Sequence, residues 1–211
     1  MLIDIVNKTG NLIVISGPSG VGKGTIGARL LEKHDDLCFS VSATTREMRE
    51  GEQEGVNYYY KTIEEFRAMI DNNEFLEYMQ VFGKNYYGTP RKFVEEKLAQ
   101  GISVLLDIDV QGAMVVKKNY PEAVMIFIAP PTLSELHRRL VGRGTDSEEA
   151  VERRFAQAKT ELAMVHEYDY VVVNDDLELA VEDVECILRS SRLAGKEYKL
   201  ELFHILNNEE A

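Results

Sequence analysis

Short runs of apolar residues alternate along this chain with longer segments whose apolar positions recur at helical spacing. Four runs predict buried strands, at 12–15, 103–108, 124–128 and 170–173. The segments between and after them predict helices, at 26–34, 91–100, 110–119, 132–141, 146–167 and 177–193. Because apolar strands separated by helices are typical of a parallel sheet covered on both faces, the pattern predicts a parallel α/β core.

A different pattern occupies residues 39–90, where the apolar runs are shorter. Strands are predicted at 39–42 and 58–60, separated by a polar stretch with no apolar period. A helix is predicted to open at Thr62 and to end near residue 72, because Thr62 followed by Glu65 has the spacing of a capping box. Residues 75–82 are predicted to be extended, and a turn at 83–85 ends this segment.

The first strand leads into a glycine-rich segment, Gly-Pro-Ser-Gly-Val-Gly-Lys-Gly-Thr at 17–25. A strand, such a loop and a helix are the context of a phosphate-binding loop, whose backbone N–H groups and helix end hold phosphate oxygens. Lys23 is placed to reach the β- and γ-phosphates. Gly24 occupies the hydroxyl position of the pattern, so Thr25 is the candidate magnesium ligand in this loop. An ordinary glycine-rich turn is the alternative interpretation.

Two carboxylates, Asp107 and Asp109, end the apolar strand 103–108. Ligands of open α/β sheets bind at the carboxyl ends of strands, and alternation along a strand predicts both side chains on one side. Beside a phosphate loop, Asp107 is expected to orient Mg²⁺ through a water molecule. The alternative is a pair of solvated polar caps. Residues 109–112 also fit the Asp-x-x-Gly of switch GTPases, but the absence of a following Asn-Lys-x-Asp argues against that class.

Three pairs of arginines form the third chemical signal. They lie after a short strand, at the end of the helix that follows two prolines, and in the next helix: Arg46 and Arg49, Arg139 and Arg143, and Arg153 and Arg154. In-line phosphoryl transfer needs groups that position phosphates and spread their charge, and the planar arginine fork suits phosphate oxygens. Glycines on both sides of Arg143 predict a mobile loop. Taken singly, an arginine is more often a solvated surface group.

The composition narrows the class of protein. A net charge of −12 over 211 residues argues against nucleic-acid binding, although a few arginines in one cleft suffice for a nucleotide. Cys38 and Cys186 lie far apart in the sequence, which predicts two reduced, buried thiols. No apolar stretch is long enough for a membrane span and the start has no basic leader, so a cytoplasmic protein without membrane partners is expected.

Together these motifs resemble the guanylate kinase family over about residues 10–195. The most specific runs are Ser-Ala-Thr-Thr-Arg at 42–46, Asn-Tyr-Tyr-Gly at 85–88 and Asp-Ile-Asp-Val-Gln-Gly at 107–112, because many families share the phosphate loop alone. Further matching runs lie at 51–52, 55–58, 73–77, 128–131, 143–145 and 173–177.

The resemblance implies an α/β fold with a P-loop parallel β-sheet core, helices on both faces, an inserted GMP-binding domain and a helical lid. The implied boundaries are 1–41, 91–133 and 158–211 for the core, 42–90 for the GMP-binding domain and 134–157 for the lid. The implied activity is Mg²⁺-dependent transfer of the γ-phosphoryl group of ATP to GMP, in purine nucleotide metabolism. The small-molecule substrates are ATP and GMP, with dGMP as a further candidate acceptor.

The resemblance also implies roles for individual residues. The ATP side comprises the loop and one residue near the adenine: Gly17, Pro18, Ser19, Gly20, Val21, Gly22, Lys23, Gly24, Thr25 and Asn174. The side chains implied in catalysis are Lys23, Arg46, Arg139, Arg143 and Arg154. GMP is held at its phosphate by Arg46, Arg49, Tyr58 and Tyr87, and at its base by Ser42, Glu77, Thr89 and Asp109. Two positions depart from the family pattern, Gly24 at the hydroxyl position and Met48 where the family has proline.

Base choice follows from the chemistry of Glu77. Guanine presents two adjacent donors, N1–H and its exocyclic amine, and an ionised Glu77 accepts both, whereas adenine lacks this pair. A wrong base would leave a buried carboxylate unpaired, which rejects analogues strongly. We expect this site to be open to water when it is empty.

Two other classes remain alternatives. One is a non-catalytic module like the guanylate-kinase-like domains of membrane-associated scaffold proteins, which Lys23 and the lid arginines argue against. The other is a kinase for a different nucleoside monophosphate, which Glu77 and the Asn-Tyr-Tyr-Gly run argue against.

Overall fold

A computed structural model describes residues 10–81, 84–142 and 147–193 of the chain. In chain order the elements are β1 (Leu12–Ser16), α1 (Lys23–Lys33), β2 (Leu37–Phe39), β3 (Ala43–Thr44), β4 (Tyr59–Tyr60), α2 (Ile63–Asp71), β5 (Phe75–Val81), β6 (Asn85–Pro90), α3 (Arg91–Ala99), β7 (Ser103–Asp107), α4 (Val110–Asn119), β8 (Val124–Ala129), α5 (Leu133–Gly142), α6 (Glu148–Leu162), a 3₁₀ turn (Val165–Glu167), β9 (Tyr170–Val173) and α7 (Leu177–Leu193).

The core is a five-stranded sheet in the order β2-β7-β1-β8-β9, and all its pairings are parallel. In register, Ile13 of β1 lies between Leu105 of β7 and Val124 of β8. Every residue of β1 is buried, as a strand covered on both faces requires. The predicted parallel α/β core is therefore confirmed.

Side-chain alternation divides the core into two apolar layers, one on each face of the sheet. Ile13 and Ile15 of β1 face the layer that includes α1, α5 and α7. Leu12 and Val14 face the opposite layer, which includes α3 and α4. The two-residue period of β1 thus fixes which helices cover each face.

Residues 43–90 carry a second sheet, in the order β4-β3-β6-β5. The pairing of β3 with β4 is parallel, whereas β6 pairs antiparallel with both β3 and β5. Helix α2 covers this sheet by stacking Phe66 on Phe75 and Tyr86, with ring centroids 4.4 and 5.4 Å apart. Strand β5 also reaches the core layer through Leu76, which brings the small sheet against α4.

The capping box predicted for α2 is confirmed. Thr62 Oγ1 accepts from the Glu65 N–H at 3.1 Å, and the Glu65 carboxylate accepts from the Thr62 N–H at 2.7 Å. Each bond satisfies a backbone donor that the first helical turn cannot use.

Two predictions about secondary structure need correction. Of the strand predicted at 39–42, only Phe39 lies in a strand, as the last residue of β2, because the chain leaves the core there and joins the small sheet only at Ala43. The helix predicted at 146–167 ends at Leu162, because the segment from Met164 to Tyr168 turns to pack into the core. Its predicted first residue, Asp146, lies outside the described residues, as do Phe82, Gly83 and the tail 194–211.

The prediction of two buried cysteines is wrong. Cys38 is half-buried, and Cys186, on the outer face of α7, is exposed. No helix within 10–81, 84–142 and 147–193 has the length and apolarity needed to cross a bilayer.

Candidate active site

The glycine-rich loop joins β1 to α1 at the carboxyl edge of the core sheet. Gly17, Gly20 and Gly22 have φ of 135°, 93° and 95°, in a region that side chains with a Cβ rarely adopt. Gly17 also approaches the carbonyl of Ile128 so closely that a Cβ would collide with it. The loop backbone therefore depends on these glycines, and its N–H groups can converge on an anion.

Lys23 is the first residue of α1, and its side chain folds back over the loop. Its Nζ donates to the carbonyl oxygens of Gly17 at 2.7 Å and Pro18 at 3.2 Å. The ammonium thus lies above the loop where phosphate oxygens would be cradled, and a phosphate would compete with these two carbonyls for it.

Asp107 ends β7 beside the same loop. A methyl group on Gly24 would lie 3.6 Å from Asp107 Oδ2, an ordinary van der Waals distance, so the Asp107 carboxylate lies beside the start of α1. Burial raises the pKa of Asp107, and the Lys23 charge opposes that rise. Thr25, one turn into α1, is exposed.

The prediction that Asp107 and Asp109 project from one strand face needs correction. Strand β7 ends at Asp107, and Asp109 is instead the N-cap of α4, where its Oδ1 accepts from the Gly112 N–H at 2.8 Å. Strand alternation therefore does not extend to Asp109. The Asp109 carboxylate nevertheless lies close enough to Glu77 to raise its pKa.

Glu77, on β5, is a buried carboxyl group that is only 5% exposed. Thr89, its register partner on β6, donates from Oγ1 to Glu77 Oε1 at 2.7 Å. On the other side, a Cβ on Gly112 would lie 2.9 Å from Glu77 Oε2, closer than such contacts normally are. Burial raises the pKa of Glu77 to about 7, with a further contribution from Asp109. The expectation that this site is open to water when empty is therefore wrong.

Arg46 lies in a cluster of aromatic and acidic side chains on the small sheet. Its guanidinium binds the Glu52 carboxylate at 2.7 and 2.9 Å and lies 5.3 Å from the centroid of the Tyr58 ring. The Tyr58 and Tyr87 rings meet edge to face, with centroids 5.8 Å apart. Burial raises the pKa of Tyr58, and the charges of Arg46 and Asp107 both act on its hydroxyl. Arg46, Tyr58 and Tyr87 are thus brought together close to Asp107.

The other predicted acceptor residues lie around this cluster. Arg49 is exposed, and its backbone N–H donates to Glu52 at 2.8 Å. Ser42 is half-buried, and its carbonyl oxygen accepts from the Tyr59 N–H at 2.9 Å, which ties the start of the segment to β4.

Helices α5 and α6 carry the remaining predicted arginines. Arg154 Nη1 lies 3.5 Å from Ser19 Oγ, so it is brought against the phosphate loop. Arg139 Nε donates to the Glu135 carboxylate at 2.7 Å, and Arg138 Nε donates to the same carboxylate. Arg143 lies outside the described residues.

Asn174 follows β9 and is 6% exposed. Its Nδ2 donates to the carbonyl of Val21 at 2.7 Å and lies against Gly22, where a Cβ would collide with it. The amide group therefore supports the phosphate loop from behind.

Three residues of the site carried no predicted role. Glu52 binds Arg46, Gly112 bounds Glu77, and Glu135 binds Arg139. Glu52 and Gly112 stand within runs that resemble the family, and those runs were the available signal. Nothing in the sequence pairs Glu135 with Arg139 except their spacing of four residues along a helix.

Comparison with known proteins gives one consistent result. The family model described as guanylate kinase matches residues 9–191. A guanylate kinase of Oceanobacillus iheyensis is 50% identical over 199 residues, which is 92% of this chain and 96% of the relative. One of Caldanaerobacter subterraneus is 52% identical over 87% of this chain and 88% of its own. The crystal structure of guanylate kinase from Anaplasma phagocytophilum superposes with a TM-score of 0.76 at 37% identity, covering 92% of both chains.

Proposed function

The chain belongs to the guanylate kinase family of nucleoside monophosphate kinases, and on that premise we propose that it transfers the γ-phosphoryl group of ATP to GMP in a Mg²⁺-dependent reaction. The products are ADP and GDP. The observation that carries the proposal is the nearness of Tyr58 to both Arg46 and Asp107, because it sets a cluster suited to an acceptor phosphate beside the donor-side carboxylate.

The acceptor site comprises the phosphate cluster and the guanine pocket of the small sheet. Arg46, Arg49, Tyr58 and Tyr87 hold the GMP phosphate through guanidinium and hydroxyl donors. Glu77 accepts the two guanine donors, and Thr89 orients its carboxylate. Ser42 and Asp109 complete the base pocket. Adenine would leave the buried carboxylate without donors, so the pocket favours GMP over AMP.

The donor site comprises the phosphate loop, residues 17–25, and the groups around it. The loop N–H groups and Lys23 hold the ATP phosphates, and Asn174 lies on the same side. Arg154, Arg139 and Arg143 surround the transferring phosphoryl group. Arg139 must exchange its contact with Glu135 for a phosphate oxygen, a change that closure of the lid over ATP would bring about.

The oxygen donors near the loop fit Mg²⁺. Asp107 holds the ion through water, with Thr25 as the second candidate, because Mg²⁺ keeps several waters and shares few protein oxygens with substrate phosphates. Within the described ranges no cluster of three or more His, Cys, Asp or Glu side chains would hold a metal ion without substrate. When bound, the ion would be held by Asp107 and Thr25 and would offset the negative charge of the ATP phosphates.

Phosphoryl transfer depends more on positioning the two substrates and excluding water than on proton transfer by a side chain. The GMP phosphate oxygen is already anionic, so the reaction needs no general base and forms no covalent intermediate with the protein. Arginines and Lys23 spread the charge of the transferring group. We propose the core (1–41, 91–133, 158–211), the GMP-binding domain (42–90) and the lid (134–157) as the moving units, whose closure makes GMP outcompete water.

A coupled assay of ADP release tests this function. The protein is incubated with ATP, Mg²⁺ and one acceptor at a time: GMP, dGMP, AMP, UMP or dTMP. We expect rapid ADP formation with GMP and a rate of ADP formation with AMP that is at least about a hundredfold lower. Equal turnover with AMP would contradict guanine reading by Glu77, and binding of GMP without ADP release would indicate a non-catalytic module.

A further inference from the structure

Glu52 lies at the centre of the cluster around Arg46. Its carboxylate accepts four hydrogen bonds, two from the Arg46 guanidinium at 2.7 and 2.9 Å, one from the Arg49 N–H at 2.8 Å and one from the Tyr60 hydroxyl at 2.7 Å. Oε2 accepts three of these bonds and Oε1 accepts one, so both carboxylate oxygens have donors. Its side chain is 18% exposed and that of Arg46 13%, so the pair is largely shielded from water.

The ionised form of Glu52 is held firmly. Arg46 is the main cause, and the Arg49 N–H adds to it, so that the pKa of Glu52 falls to about 2. The negative charge therefore persists through the whole working pH range. All four surrounding N–H and O–H groups donate hydrogen bonds to the carboxylate. A neutral amide of the same shape has only one acceptor oxygen, so it cannot accept from all of these donors.

The same contacts decide which donors of Arg46 remain available. Glu52 takes one proton from each terminal nitrogen, and the Glu47 carbonyl takes the second proton of Nη1 at 2.7 Å. Of the five N–H donors, Nε–H and the second Nη2–H are left by these contacts along one edge, and Tyr87, itself a proposed phosphate ligand, also interacts with the Arg46 guanidinium. Two parallel donors on one guanidinium edge match two oxygens of a phosphate.

We propose that Glu52 is a positioning residue that turns the Arg46 fork so that its Nε–Nη2 edge is presented to the acceptor phosphate. This inference rests on the proposed function, and Glu52 itself touches no substrate. The Tyr58 ring lies over the guanidinium, with its centroid 5.3 Å from Arg46 Cζ, and Glu52 binds both terminal nitrogens of the fork. The opposite role, in which Glu52 competes with phosphate for Arg46 and weakens binding, predicts the opposite change in KM.

Glu52→Gln tests the inference against a matched control. The amide keeps the size of the side chain but places donors against Arg46, Arg49 and Tyr60. Glu54→Gln makes the same charge change two residues away, at an exposed side chain that accepts from the Tyr60 N–H and has no contact with Arg46. We expect Glu52→Gln to raise KM for GMP about tenfold, with KM for ATP unchanged within about twofold, a smaller loss in kcat, and no such change in Glu54→Gln.

Guanosine, used as a competitive inhibitor, separates positioning from a general loss of structure. It carries the base without the phosphate, so its inhibition constant should not change in Glu52→Gln while KM for GMP rises. Glu52→Asp keeps the charge on a shorter side chain and should give a KM for GMP between those of wild type and Glu52→Gln. It also tests the inference if Glu52→Gln does not fold.

Either of two changes in the kinetics of Glu52→Gln would overturn the inference, and so would an unchanged KM for GMP. A fall in KM for GMP in Glu52→Gln would make Glu52 a competitor, and an equal rise for GMP and guanosine would make its role merely structural. Arg46→Lys distinguishes failure of the proposed function from failure of this inference. If KM for GMP is insensitive to Arg46→Lys, the assignment of the phosphate site is at fault. If it responds to Arg46→Lys but not to Glu52→Gln, only the inference fails.

Discussion

The fully buried hydroxyl of Thr89 donates to Glu77 Oε1 at 2.7 Å, across the pairing of β6 with β5. This bond fixes one oxygen of a carboxyl group whose other oxygen lies against Gly112. In the proposed base pocket, guanine recognition therefore rests on an acid that is buried before any substrate arrives. Several predictions about specificity, pH dependence and stability depend on that burial.

Glu77→Gln should change base choice most strongly. The amide presents a donor to a guanine donor, so kcat/KM for GMP should fall by about two orders of magnitude or more, while that for AMP stays low or rises slightly. Measuring kcat/KM for both monophosphates in wild type and variant checks this. An unchanged ratio would move guanine reading to Ser42, Thr89 and Asp109.

The same substitution should stabilise the substrate-free protein above pH 7. Burial penalises the Glu77 charge, and a neutral amide removes that penalty while still accepting from Thr89. Thermal unfolding at pH 8 should show a higher Tm for Glu77→Gln than for wild type, and at pH 4 the difference should be small. A lower Tm at pH 8 would mean that the carboxylate stabilises the fold.

Activity and stability should respond to pH in opposite directions through Glu77. Its pKa in the folded state is about 7, above the ordinary value of 4.5, so the folded protein holds this proton more tightly. The contribution to stability is complete below pH 4.5 and is lost as pH rises to 7. GMP recognition needs the ionised form, so KM for GMP should fall over the upper part of that range. Glu77→Gln should keep only the change due to the phosphate's own ionisation, near pH 6.

Gly112→Ala should disturb guanine reading without harming the fold. The new methyl group would lie 2.9 Å from Glu77 Oε2 and must displace the carboxylate by a few tenths of an ångström. We expect the GMP-to-AMP ratio of kcat/KM to fall about tenfold, with KM for ATP unchanged. Gly142→Ala is the control for an added helix methyl group, because among the described residues no atom lies within 4 Å of its Cβ position. A similar fall of the ratio in both variants would mean that the effect does not come from the contact with Glu77.

Lys23→Ala should reduce kcat by at least about two orders of magnitude, because the charge that accompanies the migrating phosphoryl group is lost. Its Nζ contacts only the carbonyls of Gly17 and Pro18 in the described structure, so Tm should change little. Steady-state kinetics and thermal unfolding measure the two quantities. Near-normal turnover would refute the assignment of the phosphate loop.

Arg46→Met and Arg49→Met should raise KM for GMP more than KM for ATP. The effect should be larger for Arg46, because its loss also leaves the Glu52 carboxylate without its main partner, whereas the Arg49 side chain is exposed. Initial rates with each substrate varied in turn provide the comparison. A rise confined to ATP would place these arginines on the donor side.

The sequence predicted the parts of the molecule that local rules control. The apolar run of β1 before Ser16 is typical of a strand buried on both faces, and the glycines before Lys23 permit the positive φ angles that the loop needs. The core strand and its loop could therefore be predicted directly from the sequence. The end of α6 and the exposure of Cys186 depend on packing between distant segments, which no local pattern records.

The same distinction between local patterns and long-range packing applies to the site. Motifs predicted which residues belong to it, but not which charged residues pair with them. Glu52 and Arg46 are six residues apart on an irregular segment, and only the folded backbone brings their charges together. The burial of Glu77 likewise depends on α4, which begins more than thirty residues later in the chain.

The bond from Asn174 to the carbonyl of Val21 joins residues 153 positions apart. During synthesis on the ribosome, the loop and its lysine emerge early, but their support arrives only after β9 has been made. Residues 10–142 alone would carry the whole glycine-rich signature and yet lack the amide that braces it from behind. If the loop binds a nucleotide as proposed, tight binding should accordingly be acquired late in folding.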